Sequence, residues 1–431
     1  MVLLIGAVVT AAMLTWIIPA GEYQRTLHPE TGREVVVPGT YHAVEASPVG
    51  PLAAIVAVPR GIVDGAEVVV TILLVGATFA LLDRTGALRR LVGALVGRSG
   101  NPKVVVVVVS ILFATLGALE NMHEEIVALV PVLLLLSRGL GFGAITALAM
   151  SVGAAVVGSA MAPTNPFAAG IAMTYADLPA MSMAGLRFVL LLVATAVWIG
   201  WTLSQTSADD IRPVLEPLPT EPATRRDVLL LAIVLLSFVP YVYGVLKFDW
   251  GFNELSGLLL VAGVAVGIIA RMGVHGTTVG LLKGMEAMLA PALFVGVARA
   301  ISVVLSDGRV IDTIIHAMAT PLESVPGFMA AALMVPVHVA IHIPVVSNSG
   351  QAVLTMPIMA PLADLIGVSR QAAVLAYQTG APTTDLFSPT NGALLAMLLA
   401  AGVPYGRWIR FAVPGIALVM VVGLVGIALV V

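Results

Sequence analysis

The residues best suited to chemistry lie in short clusters inside apolar sequence. Glu120-Asn121-Met122-His123-Glu124-Glu125 sets three carboxylates, an imidazole and an amide between the apolar runs 103–119 and 126–136. Acids in such a setting bind a cation, carry protons or hold the cationic end of a ligand. Metalloprotease chemistry is excluded, because the second histidine of an H-E-x-x-H motif would fall at Val127. His338 and His342 stand one helical turn apart; with no cysteine and no obvious third ligand, they read as hydrogen-bonded cavity histidines rather than a metal pair. Pro163-Thr164-Asn165-Pro166 and Ser388-Pro389-Thr390-Asn391-Gly392 each interrupt an apolar helix, freeing carbonyls on one side and N–H groups on the other. Carbonyls with Thr and Asn oxygens suit a small cation, and a half-helix N-terminus suits a carboxylate. Asp385 precedes the second break, where Ser159 precedes the first.

These clusters need a bilayer around them. Of 431 residues, 59% are apolar and 10% charged, against roughly 25% charged in soluble domains, and the mean hydropathy is +1.05. That balance excludes a cytosolic enzyme, a nucleic-acid binder and a disordered hub. The net charge of −3 offers nothing to a polyanion, and the absence of cysteine excludes disulfides and thiol nucleophiles. The polar stretches are too short to fold as a catalytic domain, so the chain does not read as an enzyme. Residues 1–18 lack the basic n-region of a signal peptide and read as a retained first helix, as though a short natural N-terminus preceded it.

Segments near 2–18, 67–83, 184–206, 227–247, 254–272, 287–305 and 407–430 have roughly the 17–25 apolar residues a membrane helix needs. Two longer stretches, 144–177 and 370–402, carry the Pro-Thr-Asn breaks. The run 126–136 is too short to cross a core of ~30 Å, so 102–139 is predicted to be a re-entrant hairpin with its charged tip near mid-membrane. Residues 326–366 repeat that design around Ser347-Asn348-Ser349-Gly350-Gln351. A shift of 226 positions superposes Pro131 on Pro357, Gly141 on Gly367 and Pro163-Thr164-Asn165 on Pro389-Thr390-Asn391. Gly61, Gly65 and Glu67 match Gly280, Gly284 and Glu286 at an offset of 219. With the N-terminus inside, most Lys and Arg fall on the inner face, and the two hairpins enter from opposite sides. The predicted fold is an all-α polytopic membrane protein: about nine transmembrane helices plus two re-entrant hairpins in an inverted repeat, a hallmark of secondary transporters. GxxxG pairs at Gly61/Gly65, Gly93/Gly97, Gly263/Gly267 and Gly280/Gly284 permit close helix packing. Arg299, deep in a span, has Glu286 or another acid as its candidate partner.

Several motifs together resemble a known family. They are Thr15-Trp16-Ile17-Ile18-Pro19-Ala20-Gly21-Glu22-Tyr23, the His-Glu-Glu hairpin, the Asn165-Pro166-Phe167 break, and Ser349-Gly350-Gln351-Ala352 through Met356-Pro357-Ile358-Met359-Ala360-Pro361-Leu362. Over essentially the whole chain they resemble the anaerobic C4-dicarboxylate carrier (DcuC-type) family, nearest its YfcC-like branch, within the ion transporter superfamily. The resemblance implies elevator-type movement of a transport domain, here 99–178 with 320–403, against a dimeric scaffold of 1–98, 179–319 and 404–431. Ser347-Asn348-Ser349 nearly matches the superfamily's Ser-Asn-Thr tip, and Thr164-Asn165 and Thr390-Asn391 match its loop positions. Glu120-Asn121-Met122 keeps only the Asn. Three tip carboxylates repel a dianion, whereas the basic amino acids implied by the YfcC-like branch suit an acidic tip.

The expectation is therefore an ion-coupled (Na⁺ or H⁺) secondary transporter in a bacterial inner membrane, working as a homodimer. Its cargo is a small carboxylate-bearing metabolite: an amino acid, basic ones included, with a C4-dicarboxylate as the alternative. No cofactor beyond the coupling ion is expected. Candidate site residues are Glu120, Asn121, Glu124, Glu125, Thr164, Asn165, Ser347, Asn348, Ser349, Asp385, Thr390 and Asn391, with Na⁺ expected at Asn121, Asn165, Asn348 and Asn391.

Overall fold

The computed structural model describes residues 2–27, 34–98, 101–206, 222–248, 250–325 and 327–431. Helix α1 (Val2–Ile17) leads into four short strands, β1 (Gly21–Glu22), β2 (Arg25–Leu27), β3 (Glu34–Val36) and β4 (His42–Ala43). They pair antiparallel as β1 with β4 and β2 with β3. The first repeat follows. It comprises α2 (Pro51–Asp64), α3 (Ala66–Arg84), the short α4 (Ala87–Arg98), and the hairpin arms α5 (Pro102–Glu120) and α6 (Ile126–Gly139). Next come α7 (Ala144–Leu148), a widened π-type turn over Ala149–Gly153, and α8 (Ala154–Met161). Beyond the break, Pro166–Gly170 and α9 (Ile171–Tyr175) resume the helix, and α10 (Ala184–Gln205) closes the repeat.

Helices α11 (Arg225–Leu236), α12 (Phe238–Phe248) and α13 (Phe252–Ile269) precede the second repeat. That repeat runs through α14 (Gly273–Asp307), the short α15 (Ile311–Ala319), and the hairpin arms α16 (Gly327–His342) and α17 (Asn348–Leu365). It ends with the broken pair α18 (Arg370–Thr384) and α19 (Gly392–Ala401), then α20 (Tyr405–Ala428).

The chain is a multi-pass helical membrane protein. Seven segments among the described residues are long and apolar enough to cross a bilayer, and they include α5 and the broken 144–175 stretch. The expected figure of nine does not follow from helix length. Helix α1 has 16 residues, the 227–247 segment is divided at Ser237, and α18 and α19 are each too short alone. The repeats also differ where they were expected to match: α14 is one helix of 35 residues, while the first copy is interrupted at Gly65.

Helix α14 runs against α2 and α3 in the opposite direction. Gly61 meets Gly296 and Ala300 at one end, and Gly284 meets Gly76 and Ala77 at the other. A Cβ on Gly61 would lie 2.5 Å from the Ala300 amide nitrogen, and one on Gly284 would lie 2.6 Å from Ala77 Cα. Small residues let these backbones touch, so these GxxxG positions close contacts within the chain.

Helices α10 and α20 pack on each other and on α8 and α18. Indole N–H groups anchor them: Trp198 donates to the Ala149 carbonyl in the π-type turn at 2.9 Å, and Trp408 to Leu386 O beside the second break at 2.7 Å. Both helices thus contact the elements that carry the breaks, α10 through α8 and α20 through α18. Two uninterrupted apolar spans look alike in sequence, and only the partners of their buried indoles separate them.

The short helices α4 and α15 are each clipped by an ion pair to a buried aspartate. On α4, Arg90 grips Asp227 through Nε and a terminal nitrogen at 2.9 and 2.7 Å. On α15, Asp312 accepts from Arg25 at 2.8 and 3.0 Å and from the Tyr23 amide at 3.0 Å. Tyr41 stacks on His316 with ring centroids 4.1 Å apart. Burial, aided by the Asp312 charge, pushes the Tyr23 hydroxyl up to about 12, so it stays protonated beside His316 Nδ1 at 3.1 Å.

Candidate functional site

The first hairpin turns at Asn121, which takes a left-handed conformation (φ 60°) and caps α5 through its amide to Gly117 O. A short amide side chain tolerates that region better than most. Arm α5 lies backbone-to-backbone on α8, where Gly117 faces Ala155 and Gly158 faces Ala114. The tip therefore sits beside the first helix break.

Each break is capped by its asparagine and tied to a hairpin by its threonine. Asn165 Oδ1 accepts from the Phe167 and Ala168 amides at 3.0 and 2.7 Å, while its Nδ2 donates to Gly117 O at 2.8 Å. Thr164 donates to Ala118 O at 2.9 Å. In the second half, Asn391 Oδ1 accepts from the Leu394 amide at 2.9 Å, and Thr390 donates to Ile343 O at 2.5 Å. Threonine hydroxyls and an asparagine amide thus reach carbonyls at the ends of the hairpin arms, Gly117 O being shared with the Asn121 amide.

Asp385 lies at the centre. Four nitrogens converge on its carboxylate: Asn391 Nδ2 at 2.6 Å, Asn348 Nδ2 at 3.1 Å, His342 Nε2 at 3.0 Å and His123 Nδ1 at 3.4 Å. His123 comes from the first hairpin tip, and His342 and Asn348 come from the second. Both hairpins and the second break therefore meet at one buried acid. In the first half, the hydroxyl of Ser159 takes its place. Ser159 donates to Asn121 Oδ1 and accepts from Asn165 Nδ2 at 3.2 Å.

A cavity of about 280 Å³ opens over this junction. Of the predicted residues, Asn121, Glu124, Glu125, Ser347, Asn348, Ser349, Asp385 and Asn391 line it. Thr164, Asn165 and Thr390 stand behind, holding the tips. The Glu120 side chain lies outside the described residues. Glu125 is buried and accepts from the His123 amide at 3.1 Å, whereas Glu124 is half-buried. The turn between α12 and α13 supplies Trp250 and Phe252 to the opposite wall, and α14 supplies Arg299. Arg299 pairs with Asp64 at 3.7 Å, an acid the sequence reading did not name.

The four asparagines expected at sodium differ in what their side-chain oxygens meet. The Oδ1 atoms of Asn121, Asn165 and Asn391 are occupied by O–H or N–H donors, and Asn348 Oδ1 is the one of the four left unpartnered. His338 and His342 are bridged by Gln351, and no group of three or more His, Cys, Asp or Glu side chains suited to a metal occurs among the described residues. Sequence reasoning missed His123, His342, Gln351 and Ser159 as members of the junction. The repeat itself held a signal, because Ser159 aligns with Asp385.

The family described as the C4-dicarboxylate anaerobic carrier, DcuC, matches residues 1–431. An uncharacterized protein of Haemophilus influenzae is 28% identical over 482 residues, covering 98% of this chain and 94% of that one. The "Putative basic amino acid antiporter YfcC" of Escherichia coli is 28% identical over 463 residues, covering 95% of this chain and 91% of the relative. Among solved structures, the YdaH transporter of Alcanivorax borkumensis shares 15% identity at a TM-score of 0.47, covering 99% of this chain and 97% of its own. MtrF of Neisseria gonorrhoeae, from a class of antimetabolite efflux pumps, shares 16% identity at a TM-score of 0.42, covering 99% and 94%. The chain is a membrane transporter and belongs to the DcuC family of carriers.

Proposed function

We infer that the cavity over Asp385 binds a small amino acid, basic ones included, and that the protein carries it across the bacterial inner membrane as an ion-coupled secondary transporter. The observation that carries this reading is the charge of the lining: Glu124, Glu125 and Asp385 face one cavity with a single arginine, Arg299, already beside Asp64. Such a lining attracts an ammonium or guanidinium group and repels a second carboxylate. The N-terminal turn of α19, with Gly392 and Ala393 in the wall, offers amides to the one carboxylate of an amino acid.

The moving unit in this reading is the body of α5–α10 with α16–α20. Its α19 slides along α14, and its α6 along α3, as in an elevator. The scaffold is α1–α4 with α11–α15, and it pairs with a second copy. The family's description supports a second reading, in which Arg299 receives one carboxylate of a C4-dicarboxylate. Thermal stability of the purified protein with L-arginine, L-lysine or succinate separates the two. Stabilisation by the basic amino acids alone supports the first reading, and stabilisation by succinate alone replaces it with the second.

A further inference from the structure

His342 is fully buried on α16, and each of its ring nitrogens faces an acceptor. Nε2 lies 3.0 Å from Asp385 Oδ1, and Nδ1 lies 2.6 Å from Gln351 Oε1. The Gln351 amide is held in that orientation because its Nε2 donates to the His338 carbonyl at 2.9 Å. Turning it round would set oxygen against oxygen. A neutral imidazole has one N–H and serves one acceptor. Two acceptors therefore require one more proton than a neutral His342 beside an ionised Asp385 would carry.

We propose that the coupling ion is a proton, bound between His342 and Asp385 in the state seen here and exchanged with the cavity through Asp385. This rests on the reading of the cavity as a transport site. On release, the N–H bond at His342 Nε2 breaks and an O–H bond forms on Asp385. The proton then passes to a cavity water, which leaves as hydronium. The pair goes from neutral to one negative charge. His342 keeps its Nδ1–H on Gln351 and turns a lone pair toward the carboxylate, so the contact between α16 and the second break becomes repulsive. His123, from the other hairpin, remains within 3.4 Å of Asp385 Oδ2, and its buried Nε2 has no partner. Unloading the proton thus removes one of the two contacts that the second hairpin makes with Asp385, leaving Asn348, while His123 of the first hairpin and Asn391 of the break stay in place.

Among the described residues, the other titratable or charged groups facing this junction are Glu124 and Glu125 on the first tip, Tyr241 on α12, Arg299 on α14, His338 on α16 and Tyr377 on α18. Tyr377 donates to Asn348 O at 2.5 Å and holds the second tip in place. Sodium is the competing ion, and it needs oxygen ligands. The four side-chain partners of Asp385 given above are all nitrogens.

The test is the melting temperature of the purified protein, from about pH 5.5 to about 8.5, in sodium chloride and in choline chloride. The expected result is a melting temperature that falls as pH rises, equally in both salts. Asp385→Asn is expected to lose that fall. Gln351→Met, which leaves the carboxylate but removes one of the two acceptors, is expected to move it to lower pH. Stabilisation specific to sodium, or a pH response unchanged in both variants, overturns the proposal. Uptake of labelled L-arginine and succinate by proteoliposomes under imposed pH and sodium gradients forms a separate arm. Uptake of neither under any gradient, with the pH response intact, overturns the transport reading and leaves the proton site standing.

Discussion

Ser159 and Asp385 occupy equivalent positions, 226 residues apart, and each bridges a hairpin-tip asparagine to a helix-break asparagine. The first half makes the link with a neutral hydroxyl, from Asn121 through Ser159 to Asn165. The second half makes it with an acid, from Asn348 through Asp385 to Asn391. The symmetry fixes the tips in place, and this departure from it supplies a titratable group.

The two positions should therefore fail differently. Ser159→Ala leaves Asn121 Oδ1 and one donor of Asn165 without their partner, at a cost of about 1–3 kcal/mol. It should lower the melting temperature and retain the pH response, which a thermal scan at several pH values checks.

Loss of either break asparagine removes a helix cap, worth about 0.5–2 kcal/mol. Asn391→Ala should destabilise more than Asn165→Ala, because Asn391 also donates to the buried Asp385 carboxylate, whereas Asn165 also donates to Gly117 O, which keeps the Asn121 amide. Denaturation of the two variants side by side gives the order.

The clips on α15 and α4 predict a matched pair of effects. Arg25→Gln leaves the buried carboxylate of Asp312 short of its charged donor, and Arg90→Gln does the same to Asp227. Hydrogen bonds to charged groups contribute about 1.5–3 kcal/mol, and the solvent-exposed third of Arg25 places it toward the lower end. Limited proteolysis should report faster cleavage near β1–β4 for Arg25→Gln alone, since Arg90 lies in the other clip.

Gly284→Val should disrupt the α3–α14 contact, since a Cβ there would meet Ala77 Cα at 2.6 Å. Overpacking costs about 1–3 kcal/mol. Gly141→Val, with open space around it but φ +83°, tests strain rather than packing. Melting temperatures should fall for both, and a salt-independent loss of compact protein on size exclusion is expected for Gly284→Val only.

Much of this was legible because a membrane chain punishes polar residues. Pro-Thr-Asn in the middle of an apolar run, or Glu124-Glu125 between two, stands out against the composition and marks breaks and tips. The junction itself was less visible. His123, His342 and Asp385 come from three elements, and the orientation of Gln351 that makes His342 informative depends on a carbonyl thirteen residues earlier in sequence. The packing partners of helices α10 and α20 were hidden for a related reason. Hydropathy reports that a span is apolar but not which body its buried face meets.

The most direct measurement of the central claim is uptake of labelled L-arginine into proteoliposomes by the wild type and by the Glu124→Gln/Glu125→Gln double variant. Saturable uptake by the wild type, lost or strongly reduced in the variant, is the predicted result. Uptake that is the same in both, or wild-type protein that takes up succinate and not L-arginine, would contradict it.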